Sequence, residues 1–142
     1  MQGKFRFEGL TLSVDNVAQS VAFYGELLGL EVAYVSEPAF AMIKIDGDLG
    51  GTIGLLSFEE ARKEGVEEMT PAQRRAIHVE FTTDDLDALY VELVARGMTF
   101  QEPPHDEPWE RVMTAFDPDG YTVEIAQGRR GHDGPIWQQA DA

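Results

Sequence analysis

The sequence predicts an α+β fold made of one βαβββ module that occurs twice. Two strands with alternating apolar residues, at 10–14 and 77–81, each precede a helical pattern and three further short strands. The two helices end at glycines in matching places, Gly29 and Gly97, and the halves align at an offset of about 69 residues. We therefore assign a first module to residues 5–57, a helical connector to 58–75, a second module to 76–128 and an extended tail to 129–142.

The elements of the first module follow from apolar spacing and from capping residues. After the strand at 10–14, Asn16 can cap a helix, with Gln19 placed to complete a capping box. The helix has apolar residues at helical spacing, namely Val17, Val21, Tyr24 and Leu28. Three strands are predicted after it, at 31–36, 39–45 and 52–57, with turns at 46–48 and 48–51.

The second module repeats this order. Asp84 or Asp85 caps a helix with Leu86, Leu89 and Leu93 on its apolar face, and strands are predicted at 99–102, 111–116 and 121–126. The connector has capping signals at 57–60 and 70–73, the first of which opens a charged helix from 61 to about 68. We interpret it as a solvated connector, and a lid is the alternative.

The charge of the chain limits the classes of partner. The chain has 11 basic and 26 acidic residues, which gives a net charge of −15. Such a charge repels phosphate backbones and anionic lipid, so neither nucleic acid nor a membrane is expected as a partner. It attracts a cationic small-molecule ligand, although acidic residues can also serve solubility alone.

The composition also bears on location. No apolar run approaches the roughly 20 residues that span a bilayer, and the N-terminus has no signal-peptide pattern. Cysteine is absent, which excludes disulfides and thiolate ligands. We expect a cytoplasmic protein.

Polar residues occupy one face of the first and last strands of each module. In the second module this face carries His78, Glu80, Thr82, Thr122 and Glu124. In the first module the matching face carries Gly9, Thr11, Ser13, Thr52 and Gly54. Because a buried carboxylate is costly without a partner, Glu124 is expected to face a cavity, beside His78 if their strands are neighbours.

Four segments together resemble the vicinal oxygen chelate superfamily, which includes glyoxalase I, extradiol dioxygenases, fosfomycin-resistance enzymes and bleomycin-resistance proteins. They are L-S-V-D-N-V at 12–17, F-Y-G-E-L-L-G-L-E-V at 23–32, I-H-V-E-F at 77–81 and F-D-P-D-G-Y-T-V-E-I at 116–125. The resemblance implies that the two βαβββ modules form an open, cupped, mixed β-barrel with the helices outside, usually in a homodimer.

The resemblance also implies a metal site that this chain has only in part. In the metal enzymes of the family, ligands stand on the first and last strands of each module, and they fall here on His78, Glu124, Gly9 and Gly54. The two glycines have no side chain to offer, and such sites want at least three protein ligands. Glu80 or His105 could add one, and a dimer could bring two His78–Glu124 pairs together. We expect no cofactor, and a divalent metal held by His78 and Glu124 is the alternative.

Five further residues are candidate ligand contacts. Trp109 and Tyr121 could stack on a flat ligand, Phe40 and Met42 share a face of their strand, and Arg111 could pair with Glu124. The plainer interpretation is that the aromatic residues belong to the core or the rim. Likewise, His78 alone is often a hydrogen-bonded core histidine.

Three functions are consistent with these observations. We favour a metal-free small-molecule-binding protein similar to the bleomycin-resistance branch, which sequesters a drug or metabolite, such as a cationic aromatic antibiotic, and so gives antibiotic resistance. The first alternative is a metal-dependent glyoxalase-like lyase or isomerase, or a dioxygenase, that uses His78 and Glu124. The second is a metal-free enzyme with Glu124 or His78 as a general base.

Overall fold

The computed structural model of the protein describes residues 3–47 and 50–128. These residues form two compact units, one on each side of the junction between Met69 and Thr70. The predicted tail at 129–142 and part of the predicted turn at 48–51 lie outside the described residues.

The first module contains one four-stranded sheet and one helix. Its elements are β1 (Gly9–Val14), α1 (Val17–Val21), which continues as a π-helical segment (Ala22–Leu27), β2 (Glu31–Ser36), β3 (Phe40–Lys44) and β4 (Thr52–Ser57). The strand order is β1-β4-β3-β2, with β1 parallel to β4 and the other pairs antiparallel. The predicted cap at Asn16 is confirmed, because its side chain accepts a hydrogen bond of 2.9 Å from the backbone N–H of Gln19.

Two short helices connect the modules: α2 (Phe58–Lys63) and α3 (Pro71–Arg75). Ser57 caps α2 and Thr70 forms a full capping box with Gln73 at α3, as predicted. The prediction of a helix from 61 to 68 was wrong at both ends. The cap at Ser57 starts the helix earlier, and Gly65, with a φ of 85°, ends it in a left-handed turn.

The second module repeats the architecture of the first. Its elements are β5 (His78–Thr82), α4 (Leu86–Ala95), β6 (Glu102–Asp106), β7 (Glu110–Phe116) and β8 (Thr122–Gly128). The strand order is β5-β8-β7-β6, which matches the first sheet strand for strand. Strand β6 shares only Glu102 with its predicted range, 99–102. It continues through Pro103 and Pro104 at the edge of the sheet, where prolines are tolerated and the register is irregular.

Each sheet packs one face into its own core. In the first module the buried side chains include Leu12, Val14, Ile53 and Leu55, and in the second they include Val79, Met113, Val123 and Ile125. The α+β class and the repeated βαβββ order are therefore confirmed, and each sheet is open, with two edge strands. None of the helices in the described ranges is long and apolar enough to cross a bilayer.

Candidate functional site

The candidate site lies on the face of the second sheet that points away from α4. Strands β5 and β8 are parallel neighbours, and their register sets Glu80 directly opposite Glu124. Residues opposite each other in a sheet project to the same face, and His78 lies two positions before Glu80 on β5. Glu110 of β7 belongs to this face as well. It lies two positions before Val112, and Val112 pairs with Ala126, which is two positions after Glu124 on β8. We call His78, Glu80, Glu110 and Glu124 the acidic cluster.

The side chains of the acidic cluster lie close together. The Nδ1 atom of His78 is 3.4 Å from Oε1 of Glu124. One imidazole nitrogen and two carboxylate oxygens, from His78, Glu80 and Glu124, all lie within 4.8 Å of one another. The side chain of Glu124 is 26% exposed and that of His78 is 44% exposed, so the cluster is open to a ligand from solvent.

The carboxyl groups repel one another on this half-buried face. Burial raises the pKa of Glu124, and a hydrogen bond with Glu80 raises it further, while the nearby His78 opposes the shift. Burial also raises the pKa of Glu110, as does the charge of Glu80, while a hydrogen bond from Trp109 lowers it. A positive charge bound here would offset the repulsion, so the cluster is chemically suited to a cation.

The chain does not reproduce the metal centre that the family resemblance implies. Two of the four expected ligand positions are Gly9 and Gly54, and the space beside each is filled by other atoms of the first sheet. His78, Glu80 and Glu124 remain as three nitrogen and oxygen donors from a single sheet, a donor set that divalent metals accept.

Arg111 lies on the opposite face from the acidic cluster. Its guanidinium donates two hydrogen bonds to Asp87 of α4, at 2.9 and 3.0 Å, and one to Asp106, at 3.1 Å. The structure therefore pairs Arg111 with these two aspartates and does not bring it to Glu124, in contrast to the pairing considered from the sequence.

Tyr121 is part of the core of the second module. It is 0% exposed and lies on the same side of the chain as Val123. It ends the turn that precedes β8, where the carboxylate of Asp117 accepts hydrogen bonds of 2.9 Å from the backbone N–H groups of Asp119 and Tyr121. The structure thus gives Tyr121 a packing position in the core of the second module.

Trp109 lies at the tip of the β6–β7 hairpin and is 53% exposed. It precedes Glu110 and donates a hydrogen bond to its carboxylate. Among the predicted aromatic contacts, Trp109 is therefore the one that the structure places directly beside the acidic cluster.

Phe40 and Met42 lie on one face of the first sheet, as predicted, and both are half-buried. Tyr34 of β2 is opposite Met42 and belongs to the same face. The rings of Tyr34 and Phe40 are 6.3 Å apart, and Phe40 lies against Gly54. This face is aromatic, whereas the matching face of the second sheet is acidic.

His105 does not join the acidic cluster. Its Nε2 atom is 3.4 Å from Glu102 and 3.2 Å from Glu107, and its Nδ1 atom donates to the carbonyl of Pro103. The bond to Pro103 raises the pKa of His105, and the two carboxylates raise it further. Of the two residues that could have added a third metal ligand, only Glu80 lies near His78 and Glu124.

Three residues near the candidate faces were absent from the predicted set of contacts: Glu80, Glu110 and Tyr34. Glu80 stands two residues after His78, so strand alternation alone placed it on the right face. Glu110 and Tyr34 needed the registers of the β6–β7–β8 and β2–β3 pairs, which the sequence does not specify.

A cavity of about 520 Å³ opens beside Glu110, at the end of the second sheet near α4. It does not include His78 or Glu124, and it has more acidic than basic lining residues. They are Asp87, Asp106, Glu107, Glu110, Arg111, Gln127 and Gly128.

The sequence is similar to known proteins over most of its length. A model of the glyoxalase/bleomycin resistance protein/dioxygenase superfamily matches residues 6–125. The uncharacterized protein YraH of Bacillus subtilis is 31% identical over an alignment of 123 residues, and the match covers 82% of this chain and 93% of YraH.

Solved structures share the fold. A glyoxalase/bleomycin resistance protein/dioxygenase from Nocardioides has a TM-score of 0.76 at 26% identity, over 95% of this chain and 91% of that one. TnmS3, an antibiotic-binding protein from Streptomyces sp. CB03234, has a TM-score of 0.71 at 20% identity, over 91% of this chain and all of its own (100%). The match of the family model over most of the sequence, together with the repeated module, shows that this chain belongs to the glyoxalase/bleomycin resistance protein/dioxygenase superfamily.

Proposed function

We propose that the protein binds a small cationic molecule with an aromatic part, without a metal ion held by the protein. The acidic cluster carries this proposal, because three carboxylates on one open face favour a positively charged ligand. Trp109, half exposed beside Glu110, offers an aromatic face to the same ligand. The fold shared with the antibiotic-binding protein TnmS3 is consistent with such a role.

The proposed ligand contacts of the second sheet are His78, Glu80, Glu110, Glu124 and Trp109. Phe40 and Met42 are proposed contacts of the first sheet, which is treated as a surface of its own. We leave Arg111 and Tyr121 out of the proposed site, because the first is paired with aspartates on the α4 side and the second is fully buried.

A pair of planar dyes tests the preference for a cation. Fluorescence titration is expected to show that acriflavine, which is cationic, binds at least about tenfold more tightly than the anionic fluorescein. Glu124→Gln and Glu80→Gln should each weaken the binding of acriflavine by on the order of tenfold, because each removes one charge from the cluster. The matched control is Glu92→Gln, which removes one charge from α4. Equal affinities for both dyes, or equal losses in all three variants, would refute the proposal.

The metal content of the purified protein tests the other half of the proposal. Protein expressed with added Fe, Mn, Ni, Co and Zn is expected to hold far less than a stoichiometric amount of any of them by mass spectrometry. A stoichiometric metal that is lost in His78→Ala would contradict the metal-free function.

The close approach of His78, Glu80 and Glu124 favours a second candidate, a metal-dependent enzyme of the same superfamily. When bound, a divalent metal would supply a Lewis acid that polarises a substrate oxygen. Turnover of a hemithioacetal or a catechol that requires added metal and is lost in both His78→Ala and Glu124→Gln would support this candidate over the first.

We also propose that the protein is a cytoplasmic homodimer that protects its host from an antibiotic. Light scattering on the purified protein measures the dimer, and cell fractionation measures the location. Growth of a deletion strain on cationic antibiotics, compared with that of its parent and of the complemented deletion strain, tests the resistance.

A further inference from the structure

Gly54 of the first sheet stands where Glu124 stands in the second. In the first sheet, Gly9 pairs with Thr52 and Thr11 pairs with Gly54. In the second sheet, His78 pairs with Thr122 and Glu80 pairs with Glu124. The two registers are the same, so Gly9 corresponds to His78 and Gly54 corresponds to Glu124. Both glycines are thus at positions where the repeat has a chemically active side chain.

The space beside Gly54 is filled by side chains of the first sheet. A Cβ atom added there would lie 2.9 Å from Oγ1 of Thr11 and 3.2 and 3.5 Å from two ring carbons of Phe40. The contact with Thr11 is shorter than real Cβ atoms show and the shorter contact with Phe40 is tight, so both side chains would have to shift before a side chain could be accommodated. Phe40 can lie in this position because residue 54 is a glycine.

The space beside Gly9 is closed by the backbone itself. A Cβ atom there would lie 2.1 Å from the carbonyl oxygen of Thr52 and 2.4 Å from its Oγ1. The backbone N–H of Thr52 donates a 2.8 Å hydrogen bond to Glu8, which holds β4 against this point of the chain. A backbone carbonyl in a sheet cannot rotate away as a side chain can, so this position does not accept a histidine.

We infer that Gly54 determines which class of ligand the first sheet can contact. A glycine at this position lets Phe40 lie across the sheet beside Tyr34, so the sheet presents aromatic rings where a donor atom would otherwise stand. The backbone carbonyl of Thr52 therefore closes the position of Gly9 to a ligand side chain, and a side chain at position 54 would have to displace Thr11 and Phe40. The ligand class, an aromatic group, rests on the proposed function, whereas the exclusion of metal ligands rests on the geometry of the sheet alone.

Cobalt titration tests the exclusion. Gly54→Glu and the double variant Gly9→His/Gly54→Glu are titrated with Co²⁺, with wild type and Thr52→Glu as controls. Thr52→Glu adds a carboxylate to the same face of β4, two residues away. We expect affinities for Co²⁺ within about threefold of wild type in every variant, because no new donor reaches an ion. A gain of tenfold or more in a folded Gly54→Glu variant would overturn the inference.

A thermal-unfolding cycle tests the role of Phe40 and stays informative if Gly54→Glu folds poorly. Gly54→Glu is expected to lower Tm by about 4 to 10 °C, and by less in the presence of Phe40→Ala, which removes one of the two side chains, Phe40 and Thr11, that crowd the site. Thr52→Glu should change Tm equally with and without Phe40→Ala. An equal loss for Gly54→Glu in both backgrounds would show that the ring does not exclude a side chain.

The binding of acriflavine separates this inference from the proposed function. Phe40→Leu and Tyr34→Leu should each weaken the binding of acriflavine to the first sheet by about threefold to tenfold, while leaving the affinity for Co²⁺ unchanged. If wild-type protein bound no dye, both the proposed function and the ligand class would be wrong. The exclusion of metal ligands would still be tested by the cobalt and Tm experiments. Normal dye binding in both variants would overturn the ligand class alone.

Discussion

Replacing Glu80 with glutamine is expected to stabilise the protein at neutral pH. Glu80 and Glu124 face each other on neighbouring strands, and both carry a negative charge when ionised. Glu80→Gln keeps the shape of the side chain and its ability to form a hydrogen bond with Glu124, and it removes the repulsion. A substitution in the candidate site would thus raise the free energy of unfolding, because the site is arranged for a ligand and not for stability.

The size of the effect follows from the distance. The donor atoms of His78, Glu80 and Glu124 lie within 4.8 Å of one another. Two unit charges at that separation repel by about 0.9 kcal/mol in bulk water and by about 3.5 kcal/mol at an effective dielectric constant of 20. Because both carboxylates are partly exposed, solvent screening places the gain near the lower value, about 1 kcal/mol. A gain of this size raises Tm by about 3 to 5 °C in a chain of this length.

The dependence on pH identifies the cause. The folded protein raises the pKa of Glu124 above its ordinary value of 4.5, so the native state binds a proton that the unfolded state has released. The contribution of Glu124 to stability is therefore fully present below the unfolded value and is lost as pH rises through the folded one. Glu80→Gln should gain little Tm at pH 4, which lies below the ordinary and the raised pKa of Glu124, and its full gain at pH 7.

Calorimetry of wild type, Glu80→Gln and the control Glu92→Gln at pH 4 and pH 7 measures the effect. Glu92 is paired with Arg96 on α4, so removing its charge should lower Tm slightly or leave it unchanged. A Glu80→Gln variant that is less stable than wild type at pH 7, or equally stabilised at both pH values, would refute the electrostatic reasoning.

Three further predictions concern the second module. Arg111→Met should lower Tm, and this loss should be smaller in 1 M NaCl because salt screens the ion pair with Asp87. The loss should also be smaller below pH 3.8, because Arg111 lowers the pKa of Asp87 and the contact is lost as that carboxylate gains a proton. Asp117→Ala should lower the free energy of unfolding in urea by about 1 to 3 kcal/mol, since it leaves two backbone N–H groups of the turn without their acceptor, whereas Asp117→Asn should cost less. Gly120→Ala should cost about 1 kcal/mol by the same measurement, because Gly120 has a φ of 92°, and no cost would show that the turn adopts another conformation.

The fold could be predicted from the sequence because its two signals are local. Alternation of apolar residues marked β1 and β5, and side chains in the described caps, such as Asn16, Asp85 and Thr70, fixed the starts of helices. The face of Glu124 followed from period-2 alternation along β8, which the structure retains. The ends of elements were less predictable, as at α2, where Gly65 stops the helix.

The sequence predicted a site residue correctly only where alternation within a single strand was enough to assign its face. His78, Glu80 and Glu124 lie on strands whose faces were readable from alternation, and only their mutual register was missing. Arg111 lies on β7, and its face is set by the length of the β6–β7 hairpin and the irregularity at the prolines of β6, which are tertiary properties. Tyr121 shares its side with Val123, so its burial was available from the same alternation that placed Glu124.

The short turn before β8 has a consequence for how this protein can change. The turn is closed by hydrogen bonds from Asp117 N–H to the carbonyl of Tyr121, at 2.9 Å, and from Gly120 N–H to the carbonyl of Asp117, at 3.0 Å. Adding or deleting one residue here would invert every side chain of β8, sending Glu124 into the core and Val123 outward. A single-codon insertion or deletion could therefore abolish ligand binding although the gene still encoded every residue that contacts the ligand.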